Sequence, residues 1–141
     1  MEQLEKNKRI ARQALVELWT EGDLTATDRL FHPTFVSHQN PGEMPIPEVR
    51  GLAELRKYVL DFRNAFLNFA DHVSIQCAEG ELVATRFVSS GVHTGTFWGI
   101  APTGRQVEWS GTTIDRIVDG KIIENWVNWD SASMLQQIRA T

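Results

Sequence analysis

Apolar residues near the start of the chain, Leu4, Ala11, Ala14, Leu15, Leu18 and Trp19, recur at helical spacing with polar residues between them. That stripe predicts an amphipathic helix over about residues 3–20. Gly22 supplies a stop, and Asp23 caps a short second helix that ends before His32-Pro33. Residues 34–38 read as a brief extended piece. The stretch from Gln39 to Arg50 holds Pro41, Gly42, Pro45 and Pro47 and is expected to be a loop, either a lid or a binding edge. Leu52, Leu55, Val59, Phe62, Phe66 and Phe69 then step by three and four, the stripe of a long helix packed on a sheet. From Asp71 the period becomes two. Val73, Ile75 and Cys77 alternate with polar residues, and Glu79-Gly80 marks a turn. Strands are expected around 81–93, 105–117 and 121–129, followed by a short helix capped by Asp130. Helices laid on one face of a curved antiparallel sheet make an α+β fold, with a cone whose mouth can hold a small molecule.

Register decides which side chains share a face. A three-residue loop Val118-Asp119-Gly120, the preferred arrangement, pairs Thr113 with Asn125 and Gly111 with Val127. Trp109, Gly111, Thr113, Asp115, Asn125, Val127 and Trp129 then face the pocket together. Ile114, Arg116, Glu124, Trp126 and Asn128 face away. A two-residue Asp119-Gly120 loop would bring Trp126 and Asn128 beside Thr113 instead.

A chain of 141 residues fits one domain, 1–141, and a net charge of −4 argues against partners that are nucleic acid or an anionic membrane surface. No apolar run reaches the ~18–20 residues of a membrane helix. The start of the chain lacks the apolar core of a signal peptide, so a cytoplasmic location is expected. The single cysteine, Cys77, excludes an internal disulfide. Four widely spaced histidines make no metal signature, and neither a phosphate loop nor a Gly-x-Ser-x-Gly elbow occurs. Five tryptophans, at 19, 98, 109, 126 and 129, suggest a large cavity wall or a protein–protein face.

Three motifs carry a family resemblance. The stretch His93-Thr-Gly-Thr-Phe-Trp-Gly-Ile-Ala-Pro-Thr-Gly, then Asp115-Arg-Ile-Val-Asp-Gly-Lys-Ile-Ile-Glu, then Asp130 with Leu135-Gln-Gln-Ile, resemble the SnoaL-like polyketide cyclases. Phe31-His-Pro-Thr-Phe and the opening helix are similar to that family too. The resemblance implies the α+β cone of the superfamily that includes nuclear transport factor 2, ketosteroid isomerase and limonene epoxide hydrolase, and a homodimer. It also implies ring closure by intramolecular aldol condensation, with an acid/base carboxylate and neither cofactor nor metal. The family's catalytic aspartate, three residues before the helix-opening Asp130, falls on Val127. The histidine and glutamine of its preceding strand fall on Thr113 and Gly111.

With valine at 127, proton transfer falls to other residues. His93 is either a pocket donor or base, or a hydrogen-bonded core histidine. His38 sits near the expected mouth. Asp130 is an acid/base candidate or a helix cap. Asp115 is expected to pair with Arg86, Arg116 or Lys121 at the sheet rim. Thr113 and Asn125 would orient a substrate oxygen, and Trp109, Val127 and Trp129 would wall a flat ligand. The expected function is a cyclase- or isomerase-type enzyme acting by proton transfer on a hydrophobic, carbonyl-containing small molecule. A non-catalytic binding protein and a dimeric interaction module are the alternatives. The apolar outward positions Ile114 and Trp126 predict a homodimer through the sheet.

Overall fold

The amphipathic start of the chain forms α1 (Glu2–Gln13) in a computed structural model that describes residues 2–42, 46 and 48–139. The helix continues as a wider π turn over Ala14–Thr20. There the Thr20 hydroxyl donates to the Leu15 carbonyl at 3.0 Å, competing for an acceptor of the helical ladder. A short α2 (Ala26–Leu30) leads into β1 (Phe31–Asn40). β1 is thus twice as long as residues 34–38 and takes in the first part of the expected loop. β2 (Val49–Arg50) pairs with it, and residues 43–45 and 47 of the proline-rich segment lie outside the described residues.

Helix α3 (Gly51–Ala65) stops short of the apolar stripe that predicted it. Phe66 and Phe69 belong instead to β3 (Phe66–Glu79). Steps of three and four do not exclude a strand with a bulge, and tertiary pairing settles the matter. Phe66 is laddered to His93, and the Ala65 carbonyl accepts the N–H groups of Thr94 and Gly95 at 3.0 Å each. A second bulge, between Val73 and Ile75, reverses the expected alternation of β3. Ile75 is 63% exposed and Cys77 is exposed. Gln76 faces inward in their place and donates to Thr85 Oγ1 at 3.1 Å.

Strands β4 (Leu82–His93), β5 (Gln106–Val118) and β6 (Lys121–Trp129) continue the meander, and α4 (Ser131–Arg139) closes the described chain. The sheet order is β2-β1-β6-β5-β4-β3. All neighbours are antiparallel except β1 and β6, which run parallel, so this curved, unclosed sheet is mixed rather than antiparallel. The architecture is α+β, with α1, the π turn and α3 against the concave face.

The β5–β6 hairpin turns through two residues, not three. Val118 pairs with Lys121, while Asp119 and Gly120 both take positive φ, 50° and 79°, as a primed two-residue turn requires. A bulge then shifts the register between Arg116 and Ile117. Thr113 therefore pairs with Val127, Asp115 with Asn125 and Gly111 with Trp129. The pairing is displaced by two positions from the expected one. Two positions preserve parity, so the side chains on each face are those that the three-residue loop placed there.

Candidate active site

The concave face encloses a cavity between the sheet and the helical layer. Its walls are largely aromatic, with Trp19, Tyr58, Phe62, Phe69, Trp109 and Trp129 among them. Phe62 of α3 sits at the centre of this wall. Its ring centroid lies 5.7 Å from that of Trp19, 6.2 Å from Trp109 and 5.6 Å from Trp129. Gly111 makes room for the wall, because a Cβ there would come within 2.6 Å of the Phe87 ring and 2.8 Å of the Trp129 Cβ.

Two carboxyls lie in this apolar setting, Asp71 of β3 and Asp115 of β5, 7% and 3% exposed. Asp115 Oδ1 accepts the Asn125 amide N–H at 3.0 Å and faces the Thr113 hydroxyl at 3.5 Å. Asp71 Oδ1 accepts the Ser89 hydroxyl. Its backbone N–H donates to Thr20 Oγ1 at 3.0 Å, which ties this point of β3 to the π turn. The second oxygen of each carboxyl has no hydrogen bond from the described residues. Burial pushes Asp71 up to about 7, against the lowering effect of the Ser89 bond. Burial likewise pushes Asp115 up to about 7, against its bonds from Asn125 and Thr113. Each acid is poised to exchange a proton near neutral pH.

The two are independent of each other. Asp71 is laddered to Ser89 and Asp115 to Val83, positions separated by roughly 20 Å along an extended strand. Among the described residues the lining has one other titratable side chain, Tyr58. Burial raises its pKa well above the ordinary phenol range, so it stays a neutral donor, to Gln39 Oε1 at 3.1 Å. No described Lys, Arg or His lines the cavity, and no three described His, Cys, Asp or Glu side chains converge as a metal site.

Of the residues expected to bind ligand, Trp109, Thr113, Asn125, Val127 and Trp129 all line the cavity. The residues expected to be catalytic do not. In β1 it is Phe31, Phe35, Ser37 and Gln39 that line the cavity. His38 stacks on Trp126 of the outer face, with ring centroids 5.6 Å apart. Its nitrogens meet Glu48 at 2.8 Å and Glu124 at 2.7 Å. The Glu124 bond is the main cause that raises its pKa. His93 is wholly buried at the end of β4, beside Phe66 and 3.0 Å from Thr103 Oγ1. Desolvation lowers its pKa, and its Nε2 has no partner among the described residues. Asp130 is exposed and caps α4, accepting the Ser133 N–H at 2.9 Å.

Asp115 makes none of the expected rim ion pairs. Arg116 reaches Glu81 and Glu124, Lys121 bonds the Asp28 carbonyl, and Arg86 bonds Ser74. These cations lie outside the cavity, so the buried carboxylate receives no compensating charge. Sequence reasoning placed Asp115 on the pocket face by parity but expected it to form an ion pair at the rim, and it gave Asp71 no role. The available signal was parity, since Asp115 alternates with Trp109 and Thr113, and Asp71 with Phe69.

The sequence profile of the SnoaL-like polyketide cyclases matches residues 9–138. The chain belongs to that family. A search of the curated proteins gives no match. Solved structures share the SnoaL-like fold over nearly the whole length. One is assigned as a SnoaL-like polyketide cyclase from Jannaschia sp. CCS1. It superposes with a TM-score of 0.87 at 21% identity, over 97% of this chain and 94% of that one. IdmH from Streptomyces antibioticus, assigned as a polyketide cyclase, gives 0.81 at 28% identity, over 94% and 97%. AclR from Streptomyces galilaeus, assigned as a hydroxylase, gives 0.80 at 26%, over 96% and 85%. A SnoaL-like scaffold thus accompanies more than one assigned activity, and the residues in the cavity must decide the chemistry.

Proposed function

We propose that this SnoaL-like protein is a cofactor-independent cyclase- or isomerase-type enzyme that acts by proton transfer on a hydrophobic, carbonyl-containing, polyketide-like molecule. One observation carries the reading: Asp115 is a buried carboxyl with no cation beside it, in an aromatic cavity, with a pKa of about 7. Such a group is costly to the fold and suited to a general acid/base. Because His38, His93 and Asp130 lie outside the lining, the proton chemistry is assigned to the carboxyl inside it. The Asp115 carboxylate takes a proton from the carbon next to a substrate carbonyl, leaving an enolate. That carbon then attacks a second carbonyl of the same molecule, and the new alkoxide recovers the proton from Asp115. No atom is gained or lost. Asn125 and Thr113 hold the carboxyl in place, and Tyr58 is a neutral donor in the same lining.

A nitrobenzisoxazole tests the base without knowledge of the natural substrate. Removal of its ring C–H proton breaks the N–O bond and releases a coloured cyanophenolate. Turnover by the parent should rise to a plateau above about pH 7, and Asp115→Asn should lose on the order of 10²–10⁴-fold. Full turnover by Asp115→Asn overturns the assignment. Binding of the probe without turnover by the parent supports a non-catalytic binding protein instead.

The proposal extends to a cytoplasmic homodimer formed through the outer face of the sheet. Ile114, 39% exposed and paired with Trp126, supports the interface. The exposed thiol of Cys77 suits a reducing compartment. Light scattering at micromolar concentration should give twice the chain mass, and a monomer would refute the dimer.

A further inference from the structure

Asp71 has no part in the mechanism above, yet it is buried in the same aromatic cavity. Its surroundings are aromatic, with Trp19, Phe69 and Trp109 lining the same cavity, and their ring centroids lie 5.9 Å (Trp19–Phe69) and 6.1 Å (Phe69–Trp109) apart. It receives one side-chain hydrogen bond, from Ser89, where Asp115 receives a 3.0 Å amide bond as well as the longer Thr113 contact. Donors stabilise the charged form of a carboxyl, and burial opposes the single donor of Asp71 by favouring its neutral form. The structure fixes Asp71 firmly. Ser89 holds Oδ1, and Thr20 of the π turn takes the backbone N–H. Its Oδ2 is left without a partner among the described residues.

We propose that Asp71 is a second substrate-contacting group, a neutral carboxylic acid that donates a hydrogen bond to an acceptor oxygen at the opposite end of the substrate from the atom Asp115 deprotonates. The proposal rests on the reading of Asp115 as the base, and it narrows the substrate class. A molecule that meets both groups is elongated, flat and apolar. It carries a ketone or quinone oxygen at one end and an acidic C–H or O–H at the other. Their ladder positions on β4 stand six residues apart, roughly 20 Å in a fully extended strand, so the molecule must be long enough to reach from one group to the other.

The test uses quenching of tryptophan fluorescence by two probes at pH 6. One is a hydroxyacetonaphthone, with hydroxyl and acetyl groups at opposite ends of the ring system. The other is naphthol, which lacks the acceptor meant for Asp71. The parent should prefer the hydroxyacetonaphthone. Asp71→Leu should weaken that probe about tenfold and leave naphthol within about twofold, the scale of one buried hydrogen bond. Asp71→Asn, whose amide still donates, should stay within about threefold of the parent. Raising the pH to 8.5 should weaken the parent's hold on the hydroxyacetonaphthone, and that of Asp71→Asn much less. Asp115 and Tyr58, the other titratable groups of the lining, are common to both proteins in this comparison. Should Asp71→Leu fail to fold, Asp71→Asn and Ser89→Ala carry the test, the latter expected to weaken the two-ended probe alone. A parent without preference, or an Asp71→Leu variant that binds both probes as the parent does or loses both equally, overturns the proposal. Turnover of the nitrobenzisoxazole by Asp115→Asn reports on Asp115 separately, so either assignment can fail alone.

Discussion

The two faces of the sheet treat their carboxyl groups in opposite ways. On the outer face Glu48 meets His38 and Arg50, and Glu124 meets His38 and Arg116. These pairs are partly exposed, and such pairs contribute little to stability. On the inner face Asp71 and Asp115 are buried among aromatic rings with only neutral donors. The outer carboxylates can be understood from the fold alone. The inner ones oppose it, since each must either give up its charge or carry an unpaired charge in an apolar cavity. A group that burdens the fold while lining a cavity points to function.

Of the inner carboxyls, Asp115 is the more deeply buried. Its folded pKa of about 7 lies above the ordinary carboxyl value of 3.8. The folded state therefore binds this proton more tightly than the unfolded chain. The associated stability is complete below about pH 4 and is lost as the pH rises through about 7. Asp115→Asn should consequently be more stable than the parent at pH 8, by on the order of 3 kcal/mol, and about equal to it at pH 4. Urea unfolding at the two pH values measures this. A variant less stable at pH 8 would mean that the carboxylate is compensated after all.

Val127 offers the next largest effect, because it carries an apolar side chain at the position the family resemblance gives to an aspartate. Val127→Asp would add a third acid to the cavity wall. It should cost roughly 1–3 kcal/mol without loss of the fold, and the new carboxyl should titrate above the ordinary range. Thermal unfolding and a carboxyl titration by NMR would check both. A carboxyl that titrates like a free side chain would place residue 127 in solvent.

The smallest effect belongs to the outer face. The bonds from His38 to Glu124 and Glu48 raise its pKa above 6.5. Its contribution is therefore present at pH below 6.5 and disappears as the pH rises through the folded value. His38→Gln should be slightly less stable than the parent at pH 5.5 and indistinguishable from it at pH 9, with nitrobenzisoxazole turnover unchanged. A large loss of turnover would bring His38 into the chemistry.

The α+β class, the run of strands from β3 to β6 and the membership of the inner face on β5 and β6 are legible in the chain alone. Those rest on local periodicity, which survives whatever packs against it. Alternation is why Trp109, Thr113, Asn125, Val127 and Trp129 could be grouped without coordinates. The shift of two pairs in the hairpin left the grouping intact for the same reason. Three features became visible only in the fold: α3 gives way to β3 at Phe66, β1 runs parallel to β6, and a bulge turns Gln76 inward in place of Ile75 and Cys77. Pairing with a distant strand fixes each of these, and a bulge inverts parity without a mark in the local pattern. The tertiary structure also decided the site. Asp115 stands beside Arg116 in the sequence, where proximity suggests an ion pair. In the fold, neighbours on a strand point to opposite faces, and the arginine reaches Glu81 and Glu124 outside the cavity while the carboxyl lies within it. The charge of a residue is written in the chain, but its dielectric environment belongs to the assembled fold.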